Sequence, residues 1–266
     1  AMAFYTDTHA HVYLPEFQDK IDETLARAEQ EKVMKIALPN IDSSTTESLK
    51  ATCDLYDGFY PMMGIHPCSI KLDSYKKELR HVEDELKSNY ASKHGKKYCA
   101  VGEIGIDLHW DKSTLSIQTD AFEQQMFWAW ERDLPVAVHC RNAYNEVIAS
   151  IEKMGPNRPK GVLHCFTGNI EQANALIELG FLLGIGGVVT FKNSGLAEVV
   201  AQIDMKHLVL ETDSPYLAPH PHRGKKNEPA YTALVAEKIA QAKGLVHPIN
   251  DVGVPTSINA QQLFKW

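Results

Sequence analysis

The feature that most limits the fold is a repeated alternation. Eight short apolar runs begin near Ala3, Met34, Phe59, Tyr98, Leu134, Gly161, Phe181 and His207, with helical patterns between them and no hairpin signal joining any pair. Strands joined in this way pair in parallel, because each needs a crossover to return the chain to the same edge. Eight of them close a (β/α)8 barrel, an α/β fold of the TIM type. An open doubly wound sheet is the alternative, but it normally uses fewer strands at this length, and no Gly-x-Gly-x-x-Gly follows the first run. The 266 residues, 44% of them hydrophobic, suffice for one barrel-sized core. No repeat, low-complexity tract or linker divides residues 1–266, which read as a single domain.

Helices are expected over Glu16 to Lys32, and from the capping-box pattern Ser44-Thr45-Thr46-Glu47 to about Asp54. Others are expected over Asp73 to Tyr90, Ile117 to Arg132, Ala143 to Met154 and Leu196 to Ile203, with a last one over Thr256 to Trp266. Asn169, with Gln172 three residues on, reads as the cap of another helix that stops at Gly180.

In a barrel of this kind the residues at the C-terminal ends of the strands converge on one mouth. His9 and His11 end the first run two residues apart and so share a face. Glu103 lies in the fourth run, His139 ends the fifth, His164 lies late in the sixth and Asp213 follows the eighth. Any one of these histidines could be a hydrogen-bonded core residue, but six polar residues agreeing on one rim point to a metal centre. Four imidazoles and two carboxylates suit Zn2+, Mn2+ or Mg2+ and exceed what one tetrahedral ion needs, so two ions are expected. The expected division gives His9, His11 and Asp213 to one ion and His139 and His164 to the other, with Glu103 bridging. Water activated by the metal is the expected nucleophile, and Asp213 is placed to orient it or take its proton. Glu211 either fixes an imidazole from behind or closes the barrel with a charge. Cys140 and Cys165 point to the opposite face of their strands and read as packed thiols.

The formal charge of −7 argues against indiscriminate coating of nucleic acid, though it leaves room for a local basic patch. Five cysteines, at 53, 68, 99, 140 and 165, form no C-x-x-C pair and suit reduced thiols in a cytoplasmic protein. Neither a secretory leader nor a membrane span is expected, since no basic segment precedes an apolar run and nowhere do eighteen apolar residues stand together.

Six strings carry a resemblance to a known family: Asp7-Thr8-His9-Ala10-His11, Gly64-Ile65-His66-Pro67, Gly102-Glu103-Ile104-Gly105-Ile106-Asp107, Val138-His139-Cys140-Arg141, His164-Cys165-Phe166-Thr167-Gly168 and Glu211-Thr212-Asp213-Ser214-Pro215-Tyr216. In this order, over nearly the whole chain, they closely resemble the TatD family of metal-dependent deoxyribonucleases. The resemblance implies a TIM barrel of the amidohydrolase superfamily with one to three divalent ions. It also implies hydrolysis of DNA phosphodiester bonds, commonly as an exonuclease, in DNA degradation or repair. Carried over by position, the family's ligands fall on His9, His11, Glu103, His139, His164 and Asp213, the set already reached from strand placement. The family's Arg-Gly-x-x-Asn-x-Pro stretch appears as Arg223 to Pro229. Two departures are a histidine pair, His220 and His222, in the loop before it and a longer charged segment from Ser88 to Lys97.

A phosphodiester calls for positive groups, and Arg223, Lys225 and Lys226 follow the eighth strand, while Arg141 directly follows His139 and clamps phosphate or balances the carboxylates. His66 holds a phosphate oxygen or protonates a leaving group, unless it is simply a buried histidine bonded to a neighbouring acid. Phe166, Phe191, Tyr216 and Tyr231 are candidate stacking platforms for unpaired bases, or core aromatics. The expected partner is DNA as substrate, single-stranded or at 3′ ends, and the expected state is a monomer. A small-molecule hydrolase would share every metal ligand without needing the basic loop. A non-catalytic metal-stabilised module is disfavoured, because a structural zinc site is closed with four ligands.

Overall fold

Eight parallel strands run in sequence order: β1 (Tyr5–Asp7), β2 (Val33–Leu38), β3 (Phe59–Pro61), β4 (Val101–Asp107), β5 (Val136–Arg141), β6 (Gly161–Leu163), β7 (Phe181–Ile185) and β8 (Leu208–Leu210). The structure, a computed structural model, describes residues 2–266. Strands β1 to β3 form one continuous parallel sheet and β4 to β8 another. Two parallel bridges, Met63 with Val101 and Ala10 with Ser214, join these into a closed ring. The β8–β1 seam is held by Thr8 N to Leu210 O at 3.0 Å, Asp213 N to His9 O at 2.8 Å and His11 N to Ser214 O at 2.8 Å. Buried Asp7 locks the same seam, accepting from Thr212 N at 3.0 Å and Thr212 Oγ1 at 2.6 Å. Burial pushes the Asp7 carboxyl up to about 7, although the bonds from Thr212 work against the rise.

The lower bore is lined by small side chains, among them Ala37, Ala137, Val162 and Val209, together with Met62. The helix Val254–Phe264 closes it from below with Ala260, Leu263 and Phe264. Beneath this floor Trp266 stacks on Phe264 and Tyr60, with centroids 4.7 and 4.3 Å away. Apolar burial of this kind contributes about 25 cal/mol per Å2, so the floor belongs to stability and leaves the upper mouth to polar groups.

Several boundaries differ from expectation for local reasons. The helix expected over residues 16–32 is a turn, Pro15–Gln18, followed by a helix, Ile21–Gln30, and nothing in the sequence marks the break. The hydroxyl of Thr45 does not cap the helix Thr46–Cys53; it accepts from Ile41 N and Asp42 N and donates to Asn40 Oδ1, so the loop takes the cap. Asn169 does form its capping box with Gln172. The helix expected to reach Tyr90 ends at Lys87, where Ser88 turns extended. The charged segment 88–97 precedes β4 and therefore lies at the N-terminal end of the barrel, away from the mouth, with Lys96 over the Tyr60 ring. A helix not anticipated, Thr232–Lys243, follows β8 and ends at left-handed Gly244.

Candidate metal centre

The six expected donors stand together at the C-terminal mouth. His9 Nε2 and His11 Nε2 lie 3.1 and 3.3 Å from Glu103 Oε1. The same two atoms lie 3.6 and 3.4 Å from Asp213 Oδ1, which is 3.5 Å from His164 Nε2. The other Glu103 oxygen, Oε2, faces His139 Nδ1 at 3.1 Å, His66 Nε2 at 3.3 Å and His164 Nε2 at 3.7 Å. Donor atoms arranged tetrahedrally around a cation at about 2.0–2.1 Å stand about 3.4 Å apart. The separations in the His9, His11, Glu103 and Asp213 set, 3.1–3.6 Å, fit that spacing, so the residues present suit a divalent ion.

Hydrogen bonds behind the imidazoles decide which nitrogen offers a lone pair. Tyr13 has one hydroxyl proton and donates it to Pro39 O at 2.6 Å, so His11 Nδ1 must donate to Tyr13 Oη at 2.8 Å. His11 Nε2 is left free toward the cluster. Likewise His139 Nε2 donates to Asp107 Oδ2 at 2.7 Å and His164 Nδ1 to Glu211 Oε2 at 2.9 Å, which frees His139 Nδ1 and His164 Nε2. His9 is the exception: its Nδ1 is buried without a partner, and its ring stacks on His164 with centroids 3.3 Å apart. His66 is wired the other way. Cys68 N donates to its Nδ1 at 3.0 Å, so the neutral ring carries its proton on Nε2 and presents N–H, not a lone pair, to Glu103. Proximity groups His66 with Glu103 and His139, but hydrogen bonding removes it from the ligand set and makes it a donor.

Close packing is what allows this. Gly105 sits at φ +149°, and a Cβ there would fall 1.9 Å from His139 O, so only glycine lets β4 lie this near β5, the strand that carries His139. At Gly184 a Cβ would fall 2.6 Å from Glu211 Oε2 and displace the carboxylate behind His164.

The electrostatics suit a cation. Burial disfavours a charged Glu103, but the imidazoles of His66 and His9 outweigh it and hold the carboxyl well below its usual range. Burial also opposes charge on His164, yet Glu211 and Asp213 overcome it and push the imidazole up to about 9. Without a metal the acids thus favour protons on His11, His66, His139 and His164, while burial and the neighbouring His164 disfavour one on His9, and a divalent ion offers the acids the same compensation in one particle.

The family described as TatD related DNase matches residues 6–265. The chain belongs to the TatD-related DNase family. The chain is 37% identical over 260 residues to the uncharacterized metal-dependent hydrolase YabD of Bacillus subtilis (strain 168), covering 97% of this chain and 98% of that protein. It is 31% identical over 247 residues to the 3′-5′ ssDNA/RNA exonuclease TatD of Cronobacter sakazakii (strain ATCC BAA-894), covering 90% of each. Among solved structures it resembles YjjV, a TatD homologue from Escherichia coli K12, with a TM-score of 0.88 and 28% identity over 98% of both chains. It is accordingly a metal-dependent hydrolase on a TIM barrel.

Within this TatD-family barrel, sequence reading brought together the donors and left the supports largely unseen. Glu211, left open between two roles, fixes His164 and also accepts from Cys165 N at 2.5 Å. Tyr13 and Asp107 were missed, although Asp107 lies four residues after Glu103 in the same strand, a spacing that keeps a strand face, whereas Tyr13 lies in the turn after β1, where no such spacing applies. Cys140 packs away from the mouth, and burial pushes its thiol up to about 12. Phe166 is 1% exposed and belongs to the core, so it is no stacking platform. Tyr231 stacks on His222, and Phe191 lies under the Arg223 guanidinium at 3.8 Å. Lys226 is tied to the chain itself, its ammonium 3.2 Å from Glu16 O and over the Phe17 ring. Asn227 braces the loop after β8, donating to Thr212 O and Tyr216 O at 2.7 Å each.

Proposed function

We propose that this chain is a divalent-metal-dependent nuclease that hydrolyses phosphodiester bonds of single-stranded DNA, working from an end. The observation that carries the reading is a buried donor cluster under a rim of exposed cations, Arg141, Arg223 and Lys225. His9, His11 and Asp213 would hold one ion and His139 and His164 a second, and Glu103, whose two oxygens face His9 and His139, would serve both. The ions, Mg2+, Mn2+ or Zn2+, supply positive charge that acidifies water and offsets the charge growing on the phosphate. The chain does the rest. Asp213, 16% exposed against 2% for Glu103, is the cluster carboxylate open to the mouth, and it orients the attacking water and takes its proton. His66 donates its Nε2–H to a phosphate oxygen or to the leaving group. Arg141 and Arg223 hold flanking phosphates. Lys225 adds charge to the same rim, and Lys226 shapes the loop that carries it.

A cluster recessed in a barrel mouth receives the end of a single strand more readily than an intact duplex, whose bases would need unstacking. A relative named as a 3′-5′ ssDNA/RNA exonuclease supports this direction. All six donors come from one chain, which fits a monomer, and five free thiols fit the cytoplasm. No helix among the described residues is long and apolar enough to cross a membrane.

The test is cleavage of end-labelled linear single-stranded DNA by chelator-stripped protein given back each metal in turn. Metal-dependent release of mononucleotides is expected, and a circular strand cut as fast as a linear one would overturn the end-directed part. A small-molecule hydrolase is the second reading, favoured by relatives named only as metal-dependent hydrolases. Reversing Arg223 and Lys225 to Glu separates the two: a nuclease loses DNA cleavage, whereas a small-ester hydrolase does not need those cations.

A further inference from the structure

The geometry points to a nucleotide subsite built from Trp110 and Arg141, in which the indole takes the face of an unpaired base and the guanidinium the adjoining phosphate. This inference rests on the nuclease reading above and extends it to residues that the ligand set does not use.

Trp110 is 74% exposed, an expensive placement for the largest apolar side chain unless something covers it. It sits in the loop after β4, three residues beyond Asp107, whose carboxylate holds His139. His109, between them, is anchored by its N–H to Asp107 Oδ1 at 2.9 Å and meets the Trp110 ring edge to face at 4.5 Å. Arg141 reaches from the end of β5, two residues past His139, and places its guanidinium carbon 5.7 Å from the indole centroid. Both arms are therefore rooted on the strands that carry Glu103 and His139, at the level of the mouth.

The two side chains offer the two things a nucleotide presents. An open indole face suits any base, since every base has a π-face, and a guanidinium binds phosphate in a planar fork. A second pair of the same kind, Arg223 over Phe191, stands beyond β7 and β8. The first pair follows β4 and β5 and the second follows β7 and β8, so the two stand on different sectors of the same rim, and of the two only Trp110 is left largely exposed. A duplex, whose bases already stack on each other, has no free face for Trp110.

Binding tests the inference without relying on turnover. The dissociation constant of a fluorophore-labelled pentathymidylate is measured for the full chain carrying Asp213→Asn, with Mn2+, and compared with the same chain carrying Trp110→Ala or Trp110→Phe in addition. Trp110→Ala should weaken binding about tenfold or more, the scale of one lost base stack, and Trp110→Phe should restore most of it. Oligonucleotides lacking one base at a time should show a matching loss at one position with Trp110 present and no loss at that position with Trp110→Ala. Equal binding by Trp110→Ala, or an abasic series with no sensitive position when Trp110 is present, overturns the subsite. Failure of the unsubstituted chain to cleave DNA would instead overturn the nuclease reading, and the binding comparison would still judge Trp110.

Discussion

The mouth and the floor of this barrel share eight strands and almost nothing else. At the mouth, Glu103, Asp107 and Glu211 are each no more than 3% exposed and are compensated by imidazoles, by the backbone N–H groups of His109 and Cys165, and by whatever cation binds there. At the floor, Phe264, Trp266 and Tyr60 stack beneath a bore of alanines and valines, and Lys35 and Lys96 lie over aromatic rings. Burying charge opposes folding and burying rings favours it, so one end of the barrel supports the other. The contrast teaches that substitutions at the two ends should separate activity from stability.

The sharpest break comes at Asp213. Asp213→Asn keeps the shape and removes the proton acceptor, so initial rates on any substrate should fall by about 10^2 to 10^4-fold, while the melting temperature of the metal-free protein stays the same or rises. A parallel loss of folding would mean that the mouth also carries stability. The reverse applies to Phe264→Ala at the floor. It should cost about 3–5 kcal/mol in urea unfolding, with activity per folded molecule preserved; a drop in that specific activity would join the two ends.

Next in size is a change that leaves every donor in place. Tyr13→Phe removes the acceptor that fixes the His11 tautomer, and metal affinity read by competition with a chelating dye should weaken about 10 to 100-fold. An unchanged affinity would show that His11 needs no such support. The smallest effect lies between the ends, on the outer wall, where Glu85 accepts from Lys50 at 3.1 Å and from Tyr98 Oη at 2.6 Å. Burial opposes ionisation of Glu85, but these partners outweigh it and hold its pKa below the ordinary value. Its contribution is therefore present above the unfolded value of about 4.3 and is lost as pH falls through the lower folded value. Solvent screening keeps it to about 1 kcal/mol or less. Glu85→Gln should flatten the acid side of the stability curve by that amount, and an identical curve would remove the pair from the ledger.

How much of this was legible differs between the same two regions. The mouth could be read because metal donors in a barrel are expected at strand ends, where His9, His11, His139, His164 and Asp213 fall at or just beyond a strand's last residues, while Glu103, third in β4, joined them by its charge in a buried strand. Their supports could not, since the role of Tyr13 depends on Pro39 O, 26 residues away, and that of Glu211 on His164, 47 residues away. The wiring of His66 is invisible in sequence because its partner is a backbone amide. At the floor the last helix was foreseen, with bounds shifted by two residues at each end, but the helix Thr232–Lys243 was not. Its alanines and its terminal Gly244 are helix signals that the sequence does carry.

The seam between β8 and β1 has a consequence in time. His9 and His11 are made among the first residues of the chain and Asp213 more than two hundred residues later, and Thr212 must reach back 205 positions to lock onto Asp7. A ribosome has therefore built most of the barrel before the last donor exists. A product released early, or one cut before Thr212, holds five of the six donors and lacks the strand that shuts the ring around them. A hydrolase built in this order lacks a complete donor set until its own synthesis is almost finished.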